Sequence, residues 1–190
     1  MSAWIEMVSE SEASPELLAA FERARAPDGT VGNVMRVHSL RPHTMDGHVA
    51  LYNAVLHHDG NRVPEWLQET IGAYCGVLNA CDYSFANHFA NARHLMGDDA
   101  KADRVHEALI ARRPEAAFAG KELAFLRYAE KLTLAPGEMR ETDIADLRAA
   151  GANDGEILEV NQVCAYFNYV HRLLNGLGVT LKGDNVGYYR

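Results

Sequence analysis

Apolar positions recur at helical spacing along nearly the whole chain, and the strict alternation of a half-buried strand is almost absent. The first such pattern begins at Ser14, a favourable N-cap, followed by Pro15 at the first helical position. Leu17, Leu18 and Phe21 then supply its apolar stripe. The pattern predicts a chain built from amphipathic helices.

Capping and breaking residues divide the rest of the chain into further helices. The sequence predicts one helix that breaks at Pro42 and another from about Thr44 to His58, after which Pro64 opens a long apolar helix. A further helix is predicted from near Cys81 to Gly97. The remaining predicted starts are Asp98 or Asp99, about Lys121 (ending at Pro136), Thr142, and Asn153 or Asp154. With no repeat and no linker, we expect one all-α domain over residues 1–190.

Composition narrows the partners and the compartment. The chain has 26 acidic and 18 basic residues and a net charge of −8, which disfavours nucleic acid and anionic membrane as partners. No apolar run approaches the ~20 residues that span a bilayer. The beginning of the chain lacks the features of a signal peptide. Three cysteines are an odd number, unlike a disulfide framework, so we expect a cytoplasmic protein.

The stretch CDYSFANH, from Cys81 to His88, carries the most suggestive chemistry. A helix beginning at Cys81 would place its sulfur at the positive end of the helix dipole, which favours thiolate. Ser84 lies one turn on, so its hydroxyl can face the sulfur, and His88 returns to the same face after ~700° of rotation. Glu69, on the preceding helix, could orient the His88 imidazole. The spacing leaves a reactive thiol and simple core packing equally open for Cys81.

Other candidate residues fit structural roles better. Cys75 and Cys164 lie in apolar helix faces and are expected to be core residues. His57 and His58 point apart on a helix and cannot chelate a metal from one face, so we assign no metal and no cofactor. His171 could line a pocket or an interface, but the polar edge of a buried helix is the favoured interpretation.

The segment LQETIGAYCGVLNACDYSFANHFANARHLMGDD resembles the core motif of the alkylhydroperoxidase D and carboxymuconolactone decarboxylase superfamily. The family pattern is Glu, eleven residues, Cys-x-x-Cys, three residues and His, and Glu69, Cys81 and His88 match it in register. Flanking segments resemble the peroxidase-related branch, so the likeness extends over about residues 31–179. It implies an all-helical fold and subunits that assemble as dimers or trimers of dimers. Apolar stretches at 64–80 and 157–179 also favour a homo-oligomer.

The resemblance implies two chemistries, and one residue separates them. In redox members, Glu and His relay a proton while the cysteine pair reduces a hydroperoxide; decarboxylase members lack the pair. Ser84 replaces the second cysteine, whose sulfur attacks peroxide in those members, and serine cannot form a sulfenic acid. The intrahelical disulfide cycle is therefore excluded.

The leading hypothesis is a peroxidase-related oxidoreductase that reduces a small hydroperoxide with an external thiol reductant. Cys81 would be the reactive thiol, His88 the base, Glu69 its orienter and Ser84 a hydrogen-bond donor to the thiolate. The alternatives are a decarboxylase-like enzyme that uses Glu69 and His88 without thiol chemistry, and a catalytically silent binding protein. Whether Cys75 or Cys164 could resolve an oxidised Cys81 stays open.

Overall fold

A computed structural model describes residues 2–189 as one helical domain, and no strand occurs among them. The all-α prediction is therefore confirmed. Short 3-10 turns lie at Glu10–Glu12, Pro114–Ala116 and Pro136–Glu138. The helices are α1 (Pro15–Ala24), α2 (Asn33–Arg36), α3 (Pro42–Leu56), α4 (Glu65–Leu78), α5 (Asp82–Met96), α6 (Asp99–Ile110), α7 (Gly120–Leu134), α8 (Glu141–Ala149) and α9 (Asp154–Leu177).

Helix α4 is the centre of the fold. Eleven of its fourteen residues are buried, and a helix that is buried nearly all round must be surrounded by other helices. Its neighbours are α5, α7 and α9, and the main core includes Ile71, Tyr74 and Phe167. A smaller apolar cluster joins α1 to α3 through Phe21 and Met45. No helix within residues 2–189 is long and apolar enough to cross a membrane.

Two glycines on α4 allow its neighbours to approach closely. A Cβ atom at Gly72 would lie 2.2 Å from the ring of Phe167 on α9, and one at Gly76 would lie 3.1 Å from the backbone nitrogen of Phe85 on α5. Glu69 precedes Gly72 by three positions and therefore lies on the same face of α4. The close packing thus brings α5 and α9 against the face that carries Glu69.

Local capping chemistry explains where most helices begin. The side chains of Ser14, Asp98 and Asn153 accept hydrogen bonds from backbone N–H groups at the starts of α1, α6 and α9. These three predicted starts are confirmed. Gly97 ends α5 in the left-handed conformation, as the sequence predicted.

Two predicted boundaries are wrong. Pro42 begins α3 instead of breaking a helix, because the fixed φ of proline suits the first helical turn, where its missing N–H is not needed. The short helix before it is α2, which ends at Arg36, and α3 ends at Leu56. Helix α8 is capped at Arg140, not Thr142, because the Asp143 carboxylate accepts the Arg140 backbone N–H.

Candidate active site

The junction between α4 and α5 positions the motif residues. Asn79 caps the end of α4, and Cys81 occupies the N-cap of α5, so the predicted helix start at Cys81 is confirmed. Between them, Ala80 takes a φ of +51°, and the Cys81 N–H donates to the Gly76 carbonyl at 2.8 Å. This tight reversal folds α5 back against α4, which lets a residue near the start of α4 meet one in the middle of α5.

Glu69 and His88 form the predicted pair. The Glu69 Oε2 lies 2.6 Å from His88 Nδ1, and Oε1 accepts a hydrogen bond from Asn91 Nδ2 at 3.2 Å. Glu69 is completely buried. Since a carboxylate only accepts, neutral His88 carries its hydrogen on Nδ1 and keeps a lone pair on Nε2. The predicted contact between the two side chains is therefore present, with the carboxylate orienting the imidazole.

Phe167 of α9 fixes the His88 ring from the side. The two ring centroids are 4.5 Å apart in an edge-to-face arrangement, and Phe167 is fully buried against Gly72. His88 therefore has one hydrogen-bonded and one packed support. Its ring can only present Nε2 in a limited range of directions.

Ser84 has a different partner from the predicted one. Its Oγ lies 2.7 Å from His171 Nε2, whereas the sequence led us to expect it to face the Cys81 sulfur. Asn79 Nδ2 lies 3.1 Å from His171 Nδ1, and its two hydrogens also face the Cys75 carbonyl and Asn168 Oδ1. His171 and Ser84 therefore form a buried hydrogen bond whose donor is set by the tautomer of His171.

His171 is a site residue whose role the sequence did not single out. It is buried, and desolvation lowers its pKa to about 3, with smaller contributions from His88 and Arg172. It is therefore neutral near pH 7. In the sequence, only its position on the apolar face of α9 indicated that His171 is buried, and many core residues share that position.

Cys81 lies in surroundings that disfavour the thiolate form. It is only 1% exposed, and burial raises its pKa to about 11; the backbone N–H of Ser84 lowers this pKa and Asp82 raises it. The expected thiolate-favouring effect of the helix start is thus outweighed by desolvation. The thiol is protonated near pH 7.

The other two cysteines lie together in the core. The sulfur atoms of Cys75 and Cys164 are 3.8 Å apart, and both lie within 3.5 Å of the Thr133 hydroxyl. All three cysteines are free and buried. Within the described chain, no hydrogen bond or disulfide joins either core cysteine to Cys81, which supports their assignment as core residues.

A cavity of about 210 Å³ lies beside the Glu69–His88 pair. Among the described residues, Ser84 and His88 of α5 line it together with Tyr52, Tyr166 and Tyr188, whereas Cys81 does not. Tyr83 lines it as well, so four phenol rings, a hydroxyl and an imidazole are among the groups around the space. In the part of the chain from 2 to 189, no group of three or more His, Cys, Asp or Glu side chains could hold a metal ion.

The two arginines that line this cavity are both engaged with carboxylates. Arg23 makes two hydrogen bonds to Asp46, at 2.8 and 2.9 Å. Arg25 pairs with Glu10 and Glu22, each at 2.8 Å. The charges of these two arginines are therefore locally compensated.

The C-terminal tail closes one side of the cavity. The Gly187 N–H donates to Asn87 Oδ1 at 3.0 Å, and the Tyr188 N–H donates to Asn91 Oδ1 at 2.6 Å. Asn91 thus links the tail to Glu69. The sequence predicted only an irregular tail, since its partners lie about a hundred positions earlier on α5.

A scan of family models and a search of curated proteins found no match to the chain. Solved structures do match. One is an uncharacterized peroxidase-related protein from Silicibacter sp. TM1040, with a TM-score of 0.80, 24% identity, and coverage of 94% of this chain and 91% of that chain. Another is an uncharacterized peroxidase-related protein with an alkylhydroperoxidase AhpD core from Ralstonia eutropha JMP134. It has a TM-score of 0.81, 21% identity, and coverage of 95% and 92%.

The debrominase Bmp8 is also similar, with a TM-score of 0.74 and 14% identity over 95% of this chain and 91% of that chain. A cysteine-to-alanine variant of Bmp8 in complex with 2,3,4-tribromopyrrole matches with a TM-score of 0.75. At these identities the similarities establish the fold, and the matched proteins are described by different activities.

Proposed function

We propose, starting from the alkylhydroperoxidase D-like fold that the chain shares with these structures, that the protein is a proton-transfer enzyme. Its substrate would be a small, uncharged organic molecule, and Glu69 and His88 would act without thiol chemistry. One observation carries this proposal: His88 and Ser84 line the cavity, whereas Cys81 is buried outside it with its thiol protonated. The proposal shares with the decarboxylase-like alternative the use of Glu69 and His88 without thiol chemistry, but it involves proton transfer on an uncharged substrate and no loss of a carboxylate.

Each group has a defined role in such a reaction. His88 Nε2 removes a proton from a carbon beside a carbonyl or comparable group, and the electron pair moves onto the substrate oxygen. Glu69 stabilises the resulting imidazolium, with Asn91 holding the carboxylate. In this proposal His171 Nε2–H donates to the Ser84 hydroxyl, which donates its own hydrogen to the developing negative oxygen. The imidazolium returns the proton, so no co-reactant is consumed.

The cavity limits the substrate. Its volume of about 210 Å³ is below the ~300–1,000 Å³ of sites for drug-sized ligands. Because Arg23 and Arg25 are paired with carboxylates, the wall formed by residues 2–189 has no free arginine to bind a substrate carboxylate. A single ring or a short chain without charge fits these walls.

Deuterium exchange tests the proposal without knowledge of the natural substrate. The protein is incubated in D₂O with a panel of small carbonyl compounds, phenols and pyrroles, and mass spectrometry measures deuterium incorporation above the buffer rate. Pyrroles are included because a debrominase with this fold binds a bromopyrrole. We expect enzyme-dependent incorporation into at least one panel compound.

Two variants on the same helix distinguish catalysis from a surface effect. His88→Gln should reduce incorporation by about 10²–10⁴-fold, the usual contribution of a general base. His94→Gln makes the same change at an exposed position of α5 and should leave the rate unchanged. Incorporation no faster than in buffer across the panel would contradict the proposal.

A second candidate is thiol-dependent reduction of a small hydroperoxide, favoured by the backbone N–H of Ser84 that reaches the Cys81 sulfur. Two structures with the same fold are also described as peroxidase-related. In this reaction the Cys81 thiolate attacks one peroxide oxygen, the O–O bond breaks, and a sulfenic acid and an alcohol form. An external thiol converts the sulfenic acid to a mixed disulfide and water, and a second thiol releases Cys81.

Hydroperoxide consumption in the presence of excess thiol separates the two candidates. Under the first proposal, wild-type protein and Cys81→Ser consume tert-butyl hydroperoxide at the same rate. Consumption that Cys81→Ser abolishes would favour the peroxidase instead. A protein without either activity would correspond to the silent binding protein.

A further inference from the structure

A file of hydrogen-bonded side chains runs from the cavity wall to the surface. Tyr166 of α9 lines the cavity, and its hydroxyl lies 2.9 Å from His48 Nε2. His48 Nδ1 lies 3.0 Å from His38 Nε2, and His38 Nδ1 lies 2.8 Å from Thr44 Oγ1. The first three residues are buried, whereas Thr44 is exposed. The Glu69–His88 pair makes no use of this file.

The outer end of the file fixes where the hydrogens lie. The Thr44 hydroxyl has one hydrogen, and its bond to the Arg41 carbonyl at 2.8 Å requires that hydrogen, because a carbonyl can only accept. The contact between Thr44 and His38 can then be a hydrogen bond only if His38 Nδ1 carries a hydrogen and donates it.

The donor at His38 Nδ1 determines the donor in each of the two inner hydrogen bonds. Burial lowers the pKa of His38, and burial together with His38 lowers the pKa of His48 to about 3. Each ring is therefore neutral near pH 7 and has one N–H. Since His38 uses its hydrogen at Nδ1, its Nε2 accepts from His48 Nδ1–H. His48 Nε2 is then an acceptor, and Tyr166 must donate to it.

We propose that the Tyr166 oxygen is a hydrogen-bond acceptor for the bound molecule, so that the cavity selects small molecules with a hydroxyl or N–H group. The Tyr166 hydrogen is committed to His48, which leaves a lone pair on its oxygen. Burial raises the pKa of Tyr166, with a smaller contribution from the negative charge of Glu69, so the hydroxyl keeps its hydrogen near pH 7. Tyr166 and His88 line the same cavity, so a ligand hydroxyl held at Tyr166 would lie in the space that His88 also lines. This inference rests on the proposed function only in taking the cavity as the binding site.

The donor order can be read directly by NMR. Two-bond ¹H–¹⁵N correlation spectra of the uniformly labelled wild-type protein at pH 7 distinguish the two neutral tautomers of each histidine. We expect both His38 and His48 to carry the hydrogen on Nδ1. A hydrogen on Nε2 of His48 would make Tyr166 an acceptor within the file, free to donate into the cavity, and would overturn the proposal.

A matched pair of probes tests the selection itself. Phenol can donate a hydrogen bond and anisole cannot, although their rings are alike. Ligand-observed NMR titration should show phenol binding about fivefold more tightly than anisole, which corresponds to one net hydrogen bond. Tyr166→Phe should abolish the preference for phenol. The control is Tyr128→Phe, which should keep the preference, because the Tyr128 hydroxyl is bonded to Asn161 and does not line this cavity.

Every outcome bears on the proposal. Equal affinities for the two probes in the wild type, binding of neither, or a preference that survives Tyr166→Phe would overturn it. Because neither measurement requires turnover, a phenol preference without deuterium exchange would refute only the catalytic role of His88.

Discussion

The contact between Gly72 and Phe167 supports the whole site, and replacing Gly72 by alanine tests it. The new Cβ would meet three ring atoms of Phe167 at 2.2, 2.3 and 2.8 Å, well inside van der Waals contact. Phe167 is fully buried and packs against His88, so its ring cannot move aside freely. Gly72→Ala should therefore strain the packing between α4 and α9 and shift the His88 ring.

The size of the effect follows from two opposing contributions. Overpacking a well-packed core costs about 1–3 kcal/mol, and three close contacts favour the upper end. Replacing glycine inside a helix by alanine gains ~1 kcal/mol in helix propensity. Gly72→Ala should thus lower the free energy of unfolding by about 2 kcal/mol, or the melting temperature by about 4–8 °C for a chain of this length.

Urea denaturation followed by circular dichroism measures this difference. Gly47 is the matched control, because it lies inside α3, is exposed, and would place its Cβ in open space. Gly47→Ala should therefore raise the unfolding free energy, by about 0.5–1 kcal/mol. The double variant Gly72→Ala/Phe167→Leu should recover part of the loss. A Gly72→Ala protein as stable as the wild type would refute the account of this packing.

Three other predictions follow from the structure. Ser84→Cys places two thiols at i and i+3 near the start of α5. The new thiol should turn from His171 to Cys81 and form a disulfide under mild oxidant, seen as a mass loss of about 2 Da by mass spectrometry; free thiols throughout would show that the two side chains cannot reach disulfide geometry. Burial lowers the pKa of His171 to about 3, so the unfolded chain binds more protons below pH 6.5, and stability present above that pH is lost as the pH falls. His171→Gln should reduce the slope of unfolding free energy against pH by up to about 1.4 kcal/mol per unit between pH 4 and 6, and an unchanged slope would contradict this. Leu158 and Tyr169 are exposed on α9, so we propose a homo-oligomer, and light scattering that gives a monodisperse monomer would exclude it.

Features set by local sequence could be predicted. Ser14, Asp98 and Asn153 cap their helices through backbone groups only three residues away, so neighbouring residues suffice to locate these starts. The contact between Glu69 and His88 spans nineteen positions, and its prediction relied on the family resemblance and on the periodicity of two helices. Predicted helix boundaries were wrong where two local signals competed. Thr142 is a favourable N-cap, but the Asp143 carboxylate accepts a hydrogen bond from the backbone N–H of Arg140, so the helix begins earlier.

Features set by tertiary packing could not be predicted. The position of Cys81 at a helix start predicted an interaction that favours the thiolate, and the backbone N–H of Ser84 supplies one. Desolvation nevertheless has the larger effect on the pKa of the thiol, and desolvation depends on the surrounding helices. The Ser84 hydroxyl is paired with His171, 87 positions away on α9. Tyr166 and His48 meet across 118 positions. None of these long-range partners leaves a spacing pattern in a single sequence.

We propose that His88, and not Cys81, carries the chemistry. This proposal is tested most directly by the initial rate of deuterium incorporation into the best panel compound, measured side by side for wild type, Cys81→Ser and His88→Gln. The account predicts that Cys81→Ser stays within about twofold of the wild type while His88→Gln falls by about 10²-fold or more. A rate lost in Cys81→Ser but kept in His88→Gln would contradict it.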